Sequence, residues 1–213
     1  MRVNLRTIMF ILPLLWQAVW MLNRTVLADA VDDKVQAFLD EERGRWRDLN
    51  VPFSDGRLLH DLIIERGFKR GFEIGTSTGH STVWIAWAMR KTGGRLITVE
   101  IDAERQAIAK RNIEEIGLGD YVEFLLGDAH ELTPAQTGAF DFVFSDADKE
   151  WYVQYFKDLQ TKLTPNACFT AHNISNRWGR GWVKEYLDYV NSVPDMTTRV
   201  DSSGGGVAIT CKR

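Results

Sequence analysis

Three acids, Glu73, Glu100 and Asp128, each stand at the end of a short apolar run, and a glycine-bracketed turn follows the first. That turn reads Gly75-Thr76-Ser77-Thr78-Gly79-His80-Ser81 and leads from Phe72-Glu73-Ile74 into a helical stretch. Gly75 lets the backbone approach a ligand with no side chain in the way, and Gly79 permits a tight entry to the helix. Glu100, followed by Ile101 and Asp102, suits a ribose, because one carboxylate can accept from both hydroxyls. Gly127-Asp128-Ala129 puts a further acceptor beside the expected adenine. A nicotinamide enzyme needs G-x-G-x-x-G, whose middle glycine admits a diphosphate; here Ser77 holds the middle position. A nucleoside without a diphosphate fits better, and S-adenosylmethionine (SAM) is one. A single acid of this kind reads equally well as solvated charge; three at successive strand ends point to a site.

These residues need a scaffold, and the alternation of patterns supplies one. Helical spacing runs from Val31 to Leu49, and a second helix, capped by Ser54 or Asp55, runs to Arg66. Strands are then expected at 71–74, 96–99, 122–126, 140–144 and 168–171, with helices at 81–89, 103–116, 151–163 and 182–193. Two last strands, 196–200 and 207–211, are separated only by Ser202 to Gly206, which implies a hairpin and one antiparallel strand. Strands and helices in alternation with short connections give an α/β, Rossmann-like, mostly parallel sheet with helices on both faces.

The chain has 213 residues, 45% hydrophobic and 26% charged, with net charge −3. That suits one globular domain and argues against nucleic acid as the main partner, since phosphate binding needs a basic field. The two cysteines, Cys168 and Cys211, sit in apolar runs and read as buried free thiols rather than a disulfide. Residues 1–30 differ in kind: Arg2 and Arg6 precede an apolar run from Ile8 to Leu22, and Ala28-Asp29-Ala30 follows. This is the layout of a secretory signal peptide, or of an uncleaved anchor that would be the chain's one membrane contact. Translation from Met21 would instead leave a cytoplasmic protein. The folded domain is expected over 31–213.

In order, Glu-Ile-Gly-x-x-x-Gly-x-Ser, Ile-Thr-Val-Glu-Ile-Asp, Gly-Asp-Ala and Phe-Asp-Phe-Val-Phe-Ser-Asp-Ala-Asp-Lys resemble the bacterial O-methyltransferases related to catechol and caffeoyl-coenzyme A O-methyltransferases. The resemblance covers about Ser54 to Lys212. It implies a class I methyltransferase fold, a seven-stranded sheet with one antiparallel strand, and SAM at the crevice. By position, Glu73, Gly75, Ser77, Gly79 and Ser81 would line the methionine and ribose side. Glu100 with Ile101 would hold the ribose, Asp128 and Ala129 would flank the adenine, and Val51 would offer a backbone contact. Many proteins of this fold are homodimers.

The resemblance also places an acceptor side. Asp146 ends the fourth strand, His172-Asn173 follows the fifth, and Lys149 falls at a proton-accepting lysine. The expected acceptor is a small molecule whose hydroxyl oxygen takes the methyl group. A divalent cation, magnesium or manganese, held by Asp146, His172 and Asn173 would lower that hydroxyl's pKa. His172 stands where the family has a carboxylate, and three readings stay open: a softer metal site, a general base without metal, or a structural residue. Asp148 reads as a helix cap and Asp146 also as a cofactor contact. Lys149 reads equally as a surface lysine. His80 and His130 are candidates for cofactor contact, and His60 for surface or core. Trp151, Tyr152, Trp178 and Trp182 are candidates for an aromatic pocket or for core. A non-catalytic nucleoside- or partner-binding protein is the alternative reading.

Overall fold

Short, nearly unbroken apolar runs make strands that are covered on both faces, and two of them form the centre of this molecule. A computed structural model describes residues 30–46, 48–175 and 181–213. Arg70–Ile74 (β1) and Phe140–Ser145 (β4) pair in parallel, Ile74 opposite Ser145. Arg95–Glu100 (β2) and Val122–Leu126 (β3) extend the sheet beyond β1. Leu163–His172 (β5) extends it beyond β4. Val207–Lys212 (β7) then runs antiparallel between β5 and Met196–Asp201 (β6), so the order is β3-β2-β1-β4-β5-β7-β6. The expected hairpin and antiparallel strand are both present.

Helices follow the strand alternation. Residues 30–42 (α1), Phe53–Arg66 (α2), His80–Thr92 (α3) and Ala103–Glu115 (α4) cover one face. Ala129–Ala135 (α5), Tyr152–Gln160 (α6) and Gly181–Ser192 (α7) cover the other. Period-two alternation divides each strand between them. On β4, Val143 packs with Tyr152 and Phe156 of α6, while Phe142 and Phe144 pack with Leu59 and Ile63 of α2. The reversal of strand order at β1 and β4 opens a crevice at their carboxyl ends, where open α/β sheets bind ligands.

Three expectations are corrected. The first helix ends at residue 42 and not at Leu49. α2 has Pro52 at its N-cap with no side-chain cap, so neither Ser54 nor Asp55 plays that part. Cys168 and Cys211 form a disulfide and are not free thiols. Antiparallel pairing sets Cys168 directly opposite Cys211, with 4.1 Å between their Cα atoms, and so brings the sulfurs together. Short α5, which contains Pro134, gave no periodic signal. The N-terminal segment and Trp178 lie outside the described residues. No helix among the described residues is long and apolar enough to cross a membrane.

Candidate functional site

The glycine turn is fixed by its neighbours on both sides. The amides of Gly75 and Thr76 both donate to Val99 O of β2, at 3.0 and 3.1 Å, and Asp146 N donates to Ile74 O at 2.8 Å. Gly75 has φ +100°, and a Cβ there would lie 3.0 Å from Ala147 N. The bare backbone at Gly75 therefore serves first to let β1 and the loop after β4 approach each other. Gly79, with φ +99°, starts α3, and a Cβ on it would press on Ala109 of α4 at 3.0 Å. Ser77 adopts a left-handed conformation, and its amide donates to Glu100 Oε2 at 2.6 Å.

A cleft of about 360 Å³ opens over this turn. Val51, Gly75, Ser77, Ser81, Glu100, Ile101, Asp128, Ala129 and Asp146 all line it, as the sequence led us to expect; Glu73 and Gly79 do not. Glu100 is the best-fixed acid. Besides Ser77 it accepts from the amides of Ile101 and Asp102, both at 3.0 Å. Its carboxylate is oriented before any ligand arrives and keeps about one of its roughly four acceptor directions open. Asp128 caps α5 by accepting from His130 N at 2.8 Å. His130 lines the cleft, stacks on Trp151 at 4.2 Å between ring centres, and reaches Asp148 at 3.3 Å.

Glu73 points the other way. Its carboxylate accepts from Ser81, Thr82 and Thr98 and is fully buried, pinning the start of α3 to β1 and β2. Burial pushes it up to about 7, against the pull of those three hydroxyls. His80, pulled down to about 4 by burial, bonds the backbone of Val51 and packs on Trp46. It thus supports a lining residue without lining the cleft itself. His60 lies on α2 against Trp87, bonded to Asp61.

The acceptor side is a chain of charges. Lys149 Nζ forms an ion pair with Asp146 Oδ1 and donates to Asp146 O at 3.0 Å and to Tyr152 OH at 2.9 Å. Three acceptors match its three protons, so in this arrangement Lys149 is a donor and has no lone pair to serve as a base. Asp146 Oδ2 lies 3.1 Å from His172 Nδ1, and His172 Nε2 lies 2.9 Å from Asp55 Oδ2. Asp55 and His172 are 1% and 3% exposed. Burial alone would lower His172, but the two carboxylates outweigh it and raise the imidazole to about 9. Burial likewise works against Asp146, and His172 and Lys149 outweigh it, holding the carboxyl below its ordinary value. Asp148 caps the short turn 149–151, as expected. Tyr152 is buried in the core, with Trp182 packed edge-on against it at 5.4 Å.

Asp55 is the residue that sequence reasoning missed. It mimics a helix cap locally, and its partner His172 is 117 residues away. One signal was present: the run Gly204-Gly205-Gly206 between β6 and β7. Gly205 N donates to Asp55 Oδ2 at 2.7 Å. A Cβ on Gly204 would overlap Asp55 Oδ1, and one on Gly205 would lie 2.8 Å from His172 Nε2.

The expected metal ligands do not fit a divalent cation. The His172 ring stands between two carboxylates, so Asp55 and Asp146 cannot converge on one centre. Both Asp146 oxygens already face positive groups, Lys149 and His172. Asn173 follows β5 in a left-handed conformation, φ +60°. Among the described residues, no three acids, histidines or cysteines are grouped as metal ligands would be.

Comparison with known proteins adds an independent finding. The family described as O-methyltransferase matches residues 30–185. The chain is 35% identical over 130 residues to a catechol O-methyltransferase of Niastella koreensis, covering 59% of this chain and 58% of that protein. It is 40% identical over 127 residues to a catechol O-methyltransferase of Mycobacterium tuberculosis, covering 58% and 56%. The chain thus spans under three fifths of the length of these relatives. The fold is similar to that of the O-methyltransferase TomG from Streptomyces achromogenes, solved in complex with SAM, with TM-score 0.71, 26% identity and coverage of 86% and 89%.

Proposed function

Because this chain belongs to the O-methyltransferase family, we propose that it transfers the methyl group of SAM to a hydroxyl oxygen of a small molecule, aromatic hydroxyls first. The observation that carries the reading is the cleft at the strand-order reversal, with the amide-fixed Glu100 on one wall and Asp146 on the other.

The cleft suits the cofactor on its own terms. Ser77 Oγ is a buried hydroxyl with no partner, and Glu100 keeps an acceptor direction open. Glu100 would take the ribose, Gly75 and Ser77 the amino-acid tail, and Asp128 with Ala129 the adenine. When bound, SAM supplies a methyl group already activated by its positive sulfur. Lys149, held by Asp146 and Tyr152, would present its ammonium to an acceptor oxygen bound beside Asp146. A fixed positive charge there favours the ionised hydroxyl, which is the nucleophile. The tight placement of β1 against the loop after β4 would hold the two reactants in one geometry.

The test is release of S-adenosylhomocysteine from SAM with a panel of catechols and hydroxycinnamates. Glu100→Ala should weaken SAM binding by about tenfold or more, read by calorimetry. Tight SAM binding with no turnover on any hydroxylated acceptor would leave a nucleoside-binding protein in place of an enzyme.

The compartment belongs to the same proposal. A disulfide between Cys168 and Cys211 favours an oxidising environment, as does the apolar segment before the domain. Sequencing the N-terminus of the mature protein should find it near Ala30. An N-terminus at Met1 or Met21, with two free thiols, would return the protein to the cytoplasm.

A further inference from the structure

We propose that Asp55, His172 and Asp146 form a clasp that takes the place of a divalent cation, so that methyl transfer by this protein needs no metal. Asp55 is its positioning residue. The proposal rests on the transferase reading above only for the word transfer; the clasp itself is a matter of geometry.

Asp55 Oδ2 accepts the Gly205 amide at 2.7 Å, and Oδ1 accepts from Ser54 Oγ at 3.3 Å, so both oxygens of Asp55 act as acceptors. Asp146 likewise faces the Lys149 ammonium, which can only donate. Each ring nitrogen of His172 faces a carboxylate oxygen, Asp146 Oδ2 at 3.1 Å and Asp55 Oδ2 at 2.9 Å, an arrangement satisfied in full when both nitrogens carry a hydrogen. A ring with two N–H groups has no lone pair for a metal ion, which binds neutral imidazole. The positive charge that an ion would bring to the end of β5 is already covalently present.

The surroundings enforce this arrangement. Asp55 and His172 are buried, and the Gly204-Gly205 backbone lies so close that no side chain fits between. Asp55 comes from α2, His172 from β5 and the covering glycines from the β6–β7 turn. Three separate elements meet at the clasp, and with the imidazole standing between them the two carboxylates share no ion centre. Of the three only Asp146 lines the cleft, so Asp55 acts through His172 on Asp146 and not on the substrate.

Manganese(II) chloride is the probe, added to the full chain with S-adenosylhomocysteine bound and followed by the electron spin resonance of the free ion. The free-ion signal should be undiminished at millimolar metal. Excess EDTA should leave turnover unchanged, and nuclear magnetic resonance should show two protected ring N–H protons on His172. Asp55→Ala should remove one of those protons and lower kcat by about tenfold or more, with S-adenosylhomocysteine affinity unchanged. His172→Asp should gain manganese binding, because three carboxylates would then face one another with no cation between them. Stoichiometric manganese binding by the parent, lost in Asp146→Asn, would overturn the proposal. So would a His172→Asp protein that binds S-adenosylhomocysteine but no manganese. If no acceptor is ever methylated, the transferase reading fails, while the manganese and ring-proton results still decide the clasp.

Discussion

Lys149 and Glu73 show how a side chain's surroundings decide its work. Lys149 spends all three of its protons on Asp146 and Tyr152. On the proposed reading, in which Lys149 sets a fixed charge beside the reacting oxygen, Lys149→Met should lower kcat by about a hundredfold while SAM affinity, measured by calorimetry, stays within the range of the parent. Glu100, Ile101, Asp128 and Ala129 were legible as cleft residues because a strand's end and the loop that follows it are local in the chain. Glu73 was legible as special but not in its direction. Phe72 and Ile74 face one core, so period two turns Glu73 to the opposite face, beneath the start of α3. Asp55 was legible only indirectly, through the glycine run that covers it, because its role exists only once α2 and β5 have met.

The strands and helices themselves were read nearly in full, since each carries its own periodicity, but their registers were not. β5 pairs with β7 so that Cys168 faces Cys211, and no local pattern in either strand encodes that pairing. Replacing both cysteines by alanine should cost roughly 2–4 kcal/mol of stability, read as a fall in the urea midpoint. In the middle of the sheet, on β1, Glu73→Ala should cost about 2–3 kcal/mol by leaving three buried hydroxyls without their acceptor. Glu73→Gln, which keeps the shape, should cost less.

Stability against pH sums contributions from the entire fold, and its sign can be worked out. His80, depressed from 6.5 to about 4, makes the protein lose stability as pH falls through that window. Glu73, raised from 4.5 to about 7, makes it lose stability as pH rises through nearly the same window, so the two largely cancel. His172, raised from 6.5 to about 9, is left uncompensated. Its contribution is fully present below 6.5 and is lost as pH rises to 9, a decline on the order of 3 kcal/mol. Urea unfolding across this range should show that alkaline decline, and His172→Gln should flatten it. A decline that persists in the variant would mean that the two carboxylates do not raise His172.

The glycine turn that closes over Asp55 belongs to residues 150 positions further along the chain. On a ribosome, β1 to β4 and the whole nucleoside cleft are synthesised before that turn exists. The residues that line the cleft, Leu49 to Tyr155, thus all precede in the chain the turn that gives Asp55 its backbone partner. On the clasp proposed above, a chain that stops short of the last hairpin would carry the cleft's residues but not the backbone that closes over Asp55.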